Sequence, residues 1–349
     1  MDASPVTSTE EMPFTFSGRA GEYFGIWIVN VLLIIITLGI YTAWAKVRTN
    51  RYFYGHTLLD NSPFDYLANP IAILIGWVIG VVIFISYSLA VNFFPLIAGL
   101  LALLVFLFVP WFVVRAMAFR LRNTAHRNIR FMFNKNYSQA ALAFLGLPLL
   151  LPFTLGLIFP YMVFRQKKFI VDNSNYGQSG FGFAAGAGGF YKIAFIALGI
   201  MLGALVLVTT LGAGLGTALA ASGAGEAAGD MANLLIMLPL LLVYVVLLAY
   251  WQTAVTNLIW NNVQLEQHQF RSRLNVGYML WLYSSNTLAI LCSLGLLIPW
   301  ARVRTARYRV SKLSFIPGAN LNAFLAARQE EENAIGEQVG EIMDIDIGL

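Results

Sequence analysis

Six stretches of this chain carry no charged residue: 23–45, 66–114, 136–164, 193–225, 231–265 and 274–301. Each exceeds the roughly 20 residues that take a helix across a bilayer. The run 66–114 has room for two crossings, with Asn92 and Pro95 at the expected turn. Gly39, Gly156 and Gly295 lie near the end of three runs and permit a bend, and Pro160 and Pro299 support a break just beyond. Before these three runs come pieces that alternate apolar and polar residues, at 14–18, 129–133 and 267–274. After them come 52–59, 169–172 and 308–315. Such alternation predicts short strands, and 60–63 and 172–175 read as turns.

The bend regions repeat. Gly39-Ile40-Tyr41-Thr42-Ala43-Trp44-Ala45-Lys46-Val47-Arg48 returns as Gly295-Leu296-Leu297-Ile298-Pro299-Trp300-Ala301-Arg302-Val303-Arg304. A weaker copy runs Gly156-Leu157-Ile158-Phe159-Pro160-Tyr161-Met162-Val163-Phe164-Arg165. The spacing predicts unit 1 over 1–66, a degenerate unit 2 over 123–190 and unit 3 over 266–320. Helical hairpins fill 67–122 and 191–265, and an acidic tail fills 321–349.

Composition agrees with a membrane protein: 58% of residues are hydrophobic and 11% charged, against about 25% charged in soluble domains. Charge then decides between topologies. Seven crossings, with the 46–51 basic cluster in the cytoplasm, would put seven of the 22 Lys and Arg outside. Four crossings with three re-entrant units put all 22 inside, which the positive-inside rule prefers. The fold expected is therefore an all-α polytopic membrane protein. It has four full transmembrane helices, three repeated re-entrant or membrane-inserted units and small β elements at the cytoplasmic face; seven transmembrane helices is the alternative. The first 22 residues lack a basic start and an apolar core, so no cleavable signal is expected.

Helical projection places Trp44, Arg48 and Arg51 on one face, as it does Tyr161, Arg165 and Lys168, and again Trp300, Arg304 and Arg307. A ring at headgroup depth with cations one and two turns away suits phosphate contact or cation–π stacking. The same pattern also serves as a plain membrane anchor. Asn30 and Asn286 occupy equivalent positions nine residues before Gly39 and Gly295, where unit 2 has Leu147. A buried amide there needs a partner, so helix–helix hydrogen bonding or a polar path is expected.

Other features point to less. Ionisable residues are missing from the interior of the apolar runs, which argues against a proton-coupled pump. His56, His126 and His268 are scattered, without metal-ligand spacing, and suit a polar surface. The single cysteine, Cys292, reads as a small core residue. The glycine-rich stretch 177–189 lacks a phosphate-loop ending and reads as a connector. Gly76-x-x-x-Gly80 and Gly199-x-x-x-Gly203 permit close helix contact. No nucleophile, metal cluster or acid–base pair suggests an enzyme, and no motif suggests a cofactor or nucleic acid.

Phe14-Thr15-Phe16-Ser17-Gly18, Gly21-Glu22-Tyr23-Phe24, Thr37-Leu38-Gly39-Ile40-Tyr41, Trp44-Ala45-Lys46-Val47-Arg48 and Arg51-Tyr52-Phe53-Tyr54 together resemble the YjgN family of bacterial inner-membrane proteins. Pro299-Trp300-Ala301-Arg302-Val303-Arg304 resembles it again. The resemblance implies an inner-membrane location and, the family being of unknown function, no reaction or site. Two functions are expected: a transport or channel-like protein, or a non-transporting envelope protein whose basic-aromatic cytoplasmic faces bind anionic lipid headgroups or a partner.

Overall fold

The computed structural model describes residues 11–221 and 226–318. The acidic tail lies outside these residues. One pattern, strand, helical pair, strand, recurs five times along the chain. Strands β1 (Met12–Phe16) and β2 (Thr57–Leu59) flank helices α1 (Ala20–Ile36) and α2 (Thr42–Gly55). Strands β3 (Ser62–Tyr66) and β4 (Thr124–His126) flank α3 (Pro70–Phe93) and α4 (Pro95–Arg122). Next come β5 (Ile129–Phe133), α5 (Tyr137–Leu149, with a π-helical turn at Leu142–Gly146), α6 (Phe159–Asp172) and β6 (Ser174–Tyr176). Strands β7 (Ser179–Phe183) and β8 (Val263–Leu265) flank α7 (Ala187–Ala221) and α8 (Glu226–Trp260). The last group is β9 (His268–Ser272), α9 (Val276–Cys292), α10 (Ile298–Ser311) and β10 (Leu313–Ile316).

The ten strands close into one antiparallel barrel, with β1 pairing to both β2 and β10. Tight turns join neighbouring groups at one rim, and the helical pairs leave from the other. Asp60 and Asn61, and likewise Arg127 and Asn128, have positive φ at both positions. That backbone twist matches the twist of the strands it joins. The helices form a second ring above the barrel: each packs on the next, and α10 packs on α1 to close it.

This overturns the all-α expectation with only small β elements. The barrel went unseen because each strand has three to five residues and its partner lies across an inserted helical pair. Strands β3, β4, β7 and β8 belong to the long hairpins, where no strand was expected. The 177–189 connector is instead β7 and the start of α7. Residues 52–55, 169–172 and 308–311 are helical, with their strands starting later, and 172–175 is a helix end entering β6.

Among the described residues four helices are long and apolar enough to cross a membrane: Pro70–Phe93, Pro95–Arg122, Ala187–Gly214 and Pro239–Trp260. The other apolar helices are too short for the seven-crossing alternative: α1 and α9 have 17 residues each, about 25 Å against a hydrocarbon core of about 30 Å. The outward sides of the long helices are apolar, as at Phe84 and Leu104, which suits a lipid surrounding. Space is open beside Gly76, Gly80, Gly199 and Gly203, so these glycines make no close helix contact.

The three shorter pairs break in one way. Leu38, Leu155 and Leu294 adopt φ of 49°, 50° and 50°, followed by Gly39, Gly156 and Gly295 at 94°, 81° and 92°. The Gly39 amide donates to Ile34 O at 2.8 Å and the Gly295 amide to Ile290 O at 2.8 Å, satisfying carbonyls the helix end leaves free. Thr37 bridges the break, its hydroxyl donating to Leu33 O and accepting from the Tyr41 amide. Ser293 does the same for Ile290 and Leu297. The leucines at the tips are almost fully exposed. Cys292 is exposed beside one of these tips and is not a core residue.

The inside of the barrel is aromatic. The third residue of each five-residue strand is a phenylalanine: Phe14, Phe64, Phe131, Phe181 and Phe270. Their cross-strand partners are Leu59, His126, Tyr176, Leu265 and Phe315. All ten line one internal cavity.

Candidate functional site

The two classes of residue expected separately, cations and intramembrane amides, meet in the structure. Arg304 Nη1 donates to Asn286 Oδ1 at 3.1 Å and to Ser285 Oγ at 2.6 Å. Its guanidinium stacks 5.1 Å from the centre of the Trp300 ring. Asn286 in turn donates to Thr305 Oγ1 at 3.0 Å, and it is buried. The first shorter pair repeats the motif more loosely: Arg48 Nη1 lies 3.5 Å from Asn30 Oδ1 and donates to the Tyr41 hydroxyl at 3.1 Å. There Trp44 stacks on Tyr41, with ring centres 6.0 Å apart. In the middle pair Leu147 replaces the amide and packs with Met162 and Val163. Lys168 there pairs with Asp172 at 2.9 Å and reaches Phe183 O; Tyr161 packs on Phe164 and Arg165 is half-buried.

The three faces do not converge on one site, because α2, α6 and α10 stand at different places around the ring. One of them gains partners from another element. At the seam where α10 meets α1, Arg304, Arg307 and Trp300 join Arg19, Tyr278 and Tyr308 around a cavity of about 470 Å³. Among the described residues no carboxylate lines it. Arg307 Nη2 donates to Gly18 O at 2.9 Å, tying the cation to the start of α1. A repeated latch shapes the same region: the Tyr308 hydroxyl accepts from the Asn275 amide at 3.0 Å, as the Tyr52 hydroxyl does from Arg19 at 2.7 Å. Arg51 instead spends its Nε on Tyr66 O at 3.3 Å. Arg19 was not among the expected site residues. Its clue is position, since it directly precedes α1, but only ring closure brings it to α10.

On the opposite side of α10, Asn286, Thr305, Arg302 and Arg309 line a second cavity of about 500 Å³, which Phe53 of α2 also reaches. Arg302 donates to the Tyr23 hydroxyl at 3.0 Å.

Two of the histidines are not on a polar surface. His126 and His268 are buried in the barrel wall. Burial holds the His126 imidazole below its ordinary pKa, opposed by the Pro63 carbonyl 3.2 Å away. Burial lowers His268 in the same way. His56 is half-buried, 3.9 Å from Glu22. Among the described residues no three His, Cys, Asp or Glu side chains are grouped to hold a metal ion.

The chain matches the family described as "Bacterial protein of unknown function (DUF898)" over residues 11–342. It belongs to that family. Among curated proteins it is similar to "Inner membrane protein YjgN" of Salmonella typhimurium, 34% identical over 144 residues, or 41% of this chain and 36% of the relative. It is also similar to "Inner membrane protein YjgN" of Escherichia coli K12, 28% identical over 163 residues, or 46% of this chain and 40% of the relative. The matches thus span about two-fifths of the length of these relatives. No solved structure matches the chain. These names and the four apolar helices make this an inner-membrane protein.

Proposed function

We propose that the protein binds anionic phospholipid at the seam between α1 and α10, as a non-enzymatic envelope protein. The observation that carries this reading is the carboxylate-free cavity lined by Arg19, Arg304, Arg307 and Trp300. Three guanidiniums without an acidic partner among the lining residues make a cationic pocket of the kind that recognises a phosphate diester. The indole beside them suits the headgroup level. The barrel lies on the cytoplasmic side in this reading. Every described Lys and Arg lies in the barrel, its connections or within about three helical turns of a strand, which is the positive-inside pattern.

The test is retention of lipid by the full chain extracted from mixed anionic and zwitterionic membranes, read by native mass spectrometry. The wild type should retain anionic phospholipid, and the double variant Arg304→Gln, Arg307→Gln should lose it. The variant Arg271→Gln should keep it, because Arg271 pairs with Glu11 on the barrel. Equal retention by the wild type and the double variant would refute the reading.

A transport or channel-like role has its own support. The helices close a ring, and the cavity of about 500 Å³ beside Asn286, Arg302 and Arg309 adjoins α2, α9 and α10. Its cationic lining favours anions. Anion flux in proteoliposomes that Arg309→Glu reverses in selectivity would establish this role, and no flux above empty vesicles would discard it.

A further inference from the structure

The cavity inside the barrel has a volume of about 150 Å³. A ring of ten strands is wider than the eight-stranded barrels whose side chains just fill the interior. Here the middle phenylalanine of each five-residue strand and its cross-strand partner wall a chamber that Asp60, Arg127 and Trp260 also line. Neighbouring walls touch one another: Phe131 lies 5.0 Å from Tyr176 and Phe270 5.3 Å from Phe315, centre to centre. The polar atoms of the wall are turned into it. The Tyr176 hydroxyl donates to His126 O at 3.0 Å, and His126 Nδ1 faces the Pro63 carbonyl. Arg127 is paired with Asp60 and with Ser62 at 3.1 Å. Trp260, at the end of α8, leans over the helix-side rim 5.4 Å from Phe270.

We propose that this chamber is a binding site for a free, uncharged apolar small molecule of about the size of one aromatic ring. A net charge is disfavoured because the wall is mostly apolar side chains, and Asp60 and Arg127, the charged residues that also line it, pair with each other. Size follows from volume, since an apolar cavity of about 150 Å³ accommodates a benzene-sized guest. Such a guest gains edge-to-face and offset contacts with the phenylalanines and restores dispersion contacts that the empty space forfeits. The site is separate from the lipid seam, shares no lining residue with it, and does not depend on that reading.

The test uses the full chain in phosphatidylcholine nanodiscs with bromobenzene, whose heavy atom quenches nearby tryptophans. Simple partition into the bilayer quenches in proportion to concentration, whereas a site saturates. The wild type should show a saturable component on top of the linear one. Trp260→Phe should lose that component because the reporter is gone, and Leu265→Trp should lose it because the chamber is filled. Near-ultraviolet circular dichroism checks that both variants keep their packing. Purely linear quenching of the wild type would overturn the proposal. So would a saturable component that survives unchanged in Trp260→Phe, which would place binding elsewhere.

Discussion

Replacing Asn286 by leucine gives it the side chain that the middle pair already has at Leu147, so packing volume is largely kept. What is lost is electrostatic. The Asn286 amide oxygen accepts from Arg304 at 3.1 Å, and its nitrogen donates to Thr305 at 3.0 Å. A hydrogen bond to a charged group contributes about 1.5–3 kcal/mol and a neutral one about 0.5–1.5 kcal/mol. Two compensations reduce this. Thr305 already donates to Ala301 O at 2.7 Å, and Arg304 retains Ser285 at 2.6 Å and the Trp300 face. Polar pairs within membrane proteins also couple by only about 0.6 kcal/mol on average, with a maximum of about 1.7. The expected coupling between Asn286 and Arg304 is therefore about 1–1.5 kcal/mol, near the upper end because one partner is charged. The Asn30–Arg48 contact, at 3.5 Å, should couple by less than about 0.5 kcal/mol, since distance weakens it. The assay is reversible unfolding in mixed micelles, run as two double-mutant cycles, Asn286→Leu with Arg304→Met and Asn30→Leu with Arg48→Met. Coupling that is equal in the two cycles, or larger in the first pair of helices, would refute the reasoning.

Further outcomes follow from the same geometry. Gly295→Ala places a side chain at φ of 92° and should destabilise by about 1–2 kcal/mol, read as a lowered unfolding midpoint, while Gly76→Ala, in open space, should change it little. Burial lowers the His126 and His268 pKa values, so the folded barrel takes up these protons at lower pH than the unfolded chain, which does so below about pH 6.5. Stability should thus be full above that pH and fall as pH drops. His126→Phe should flatten the profile of unfolding midpoint against pH. Arg127 strengthens the His126 shift, and Asp65 and Asp60 oppose it, so Asp65→Asn should steepen the fall. Tyr308→Phe removes the acceptor for the Asn275 amide and should cost about 1 kcal/mol, whereas the middle pair, with Phe169 at that position, has no such latch to lose.

The membrane class, the long apolar helices and the Leu-Gly breaks were legible because each answers to a local rule. A bilayer needs about 20 contiguous apolar residues, and a left-handed helix stop prefers glycine. The cation–aromatic faces were legible from helical period alone. Their partners were not, although Asn30 and Arg48 stand 18 residues apart, as do Asn286 and Arg304. That equal separation marks two helices folded back at the same depth, and it becomes readable once the break is known to form a hairpin. The phenylalanines at 14, 64, 131, 181 and 270 were visible as residues but not as a set. Three to five residues of alternation are too few to show a period, and inserted helical pairs of differing length hide the spacing.

By itself, then, the sequence determined what each segment could do in its solvent: which runs enter lipid, where they turn, and which faces carry charge. Tertiary structure alone decided closure. Met12 pairs with Phe315 and α1 packs on α10, contacts between opposite ends of the described chain that no local pattern encodes. A ring has no free strand edge only if its last member returns to its first. That one global condition creates both the aromatic chamber and the seam where Arg19 joins Arg304 and Arg307.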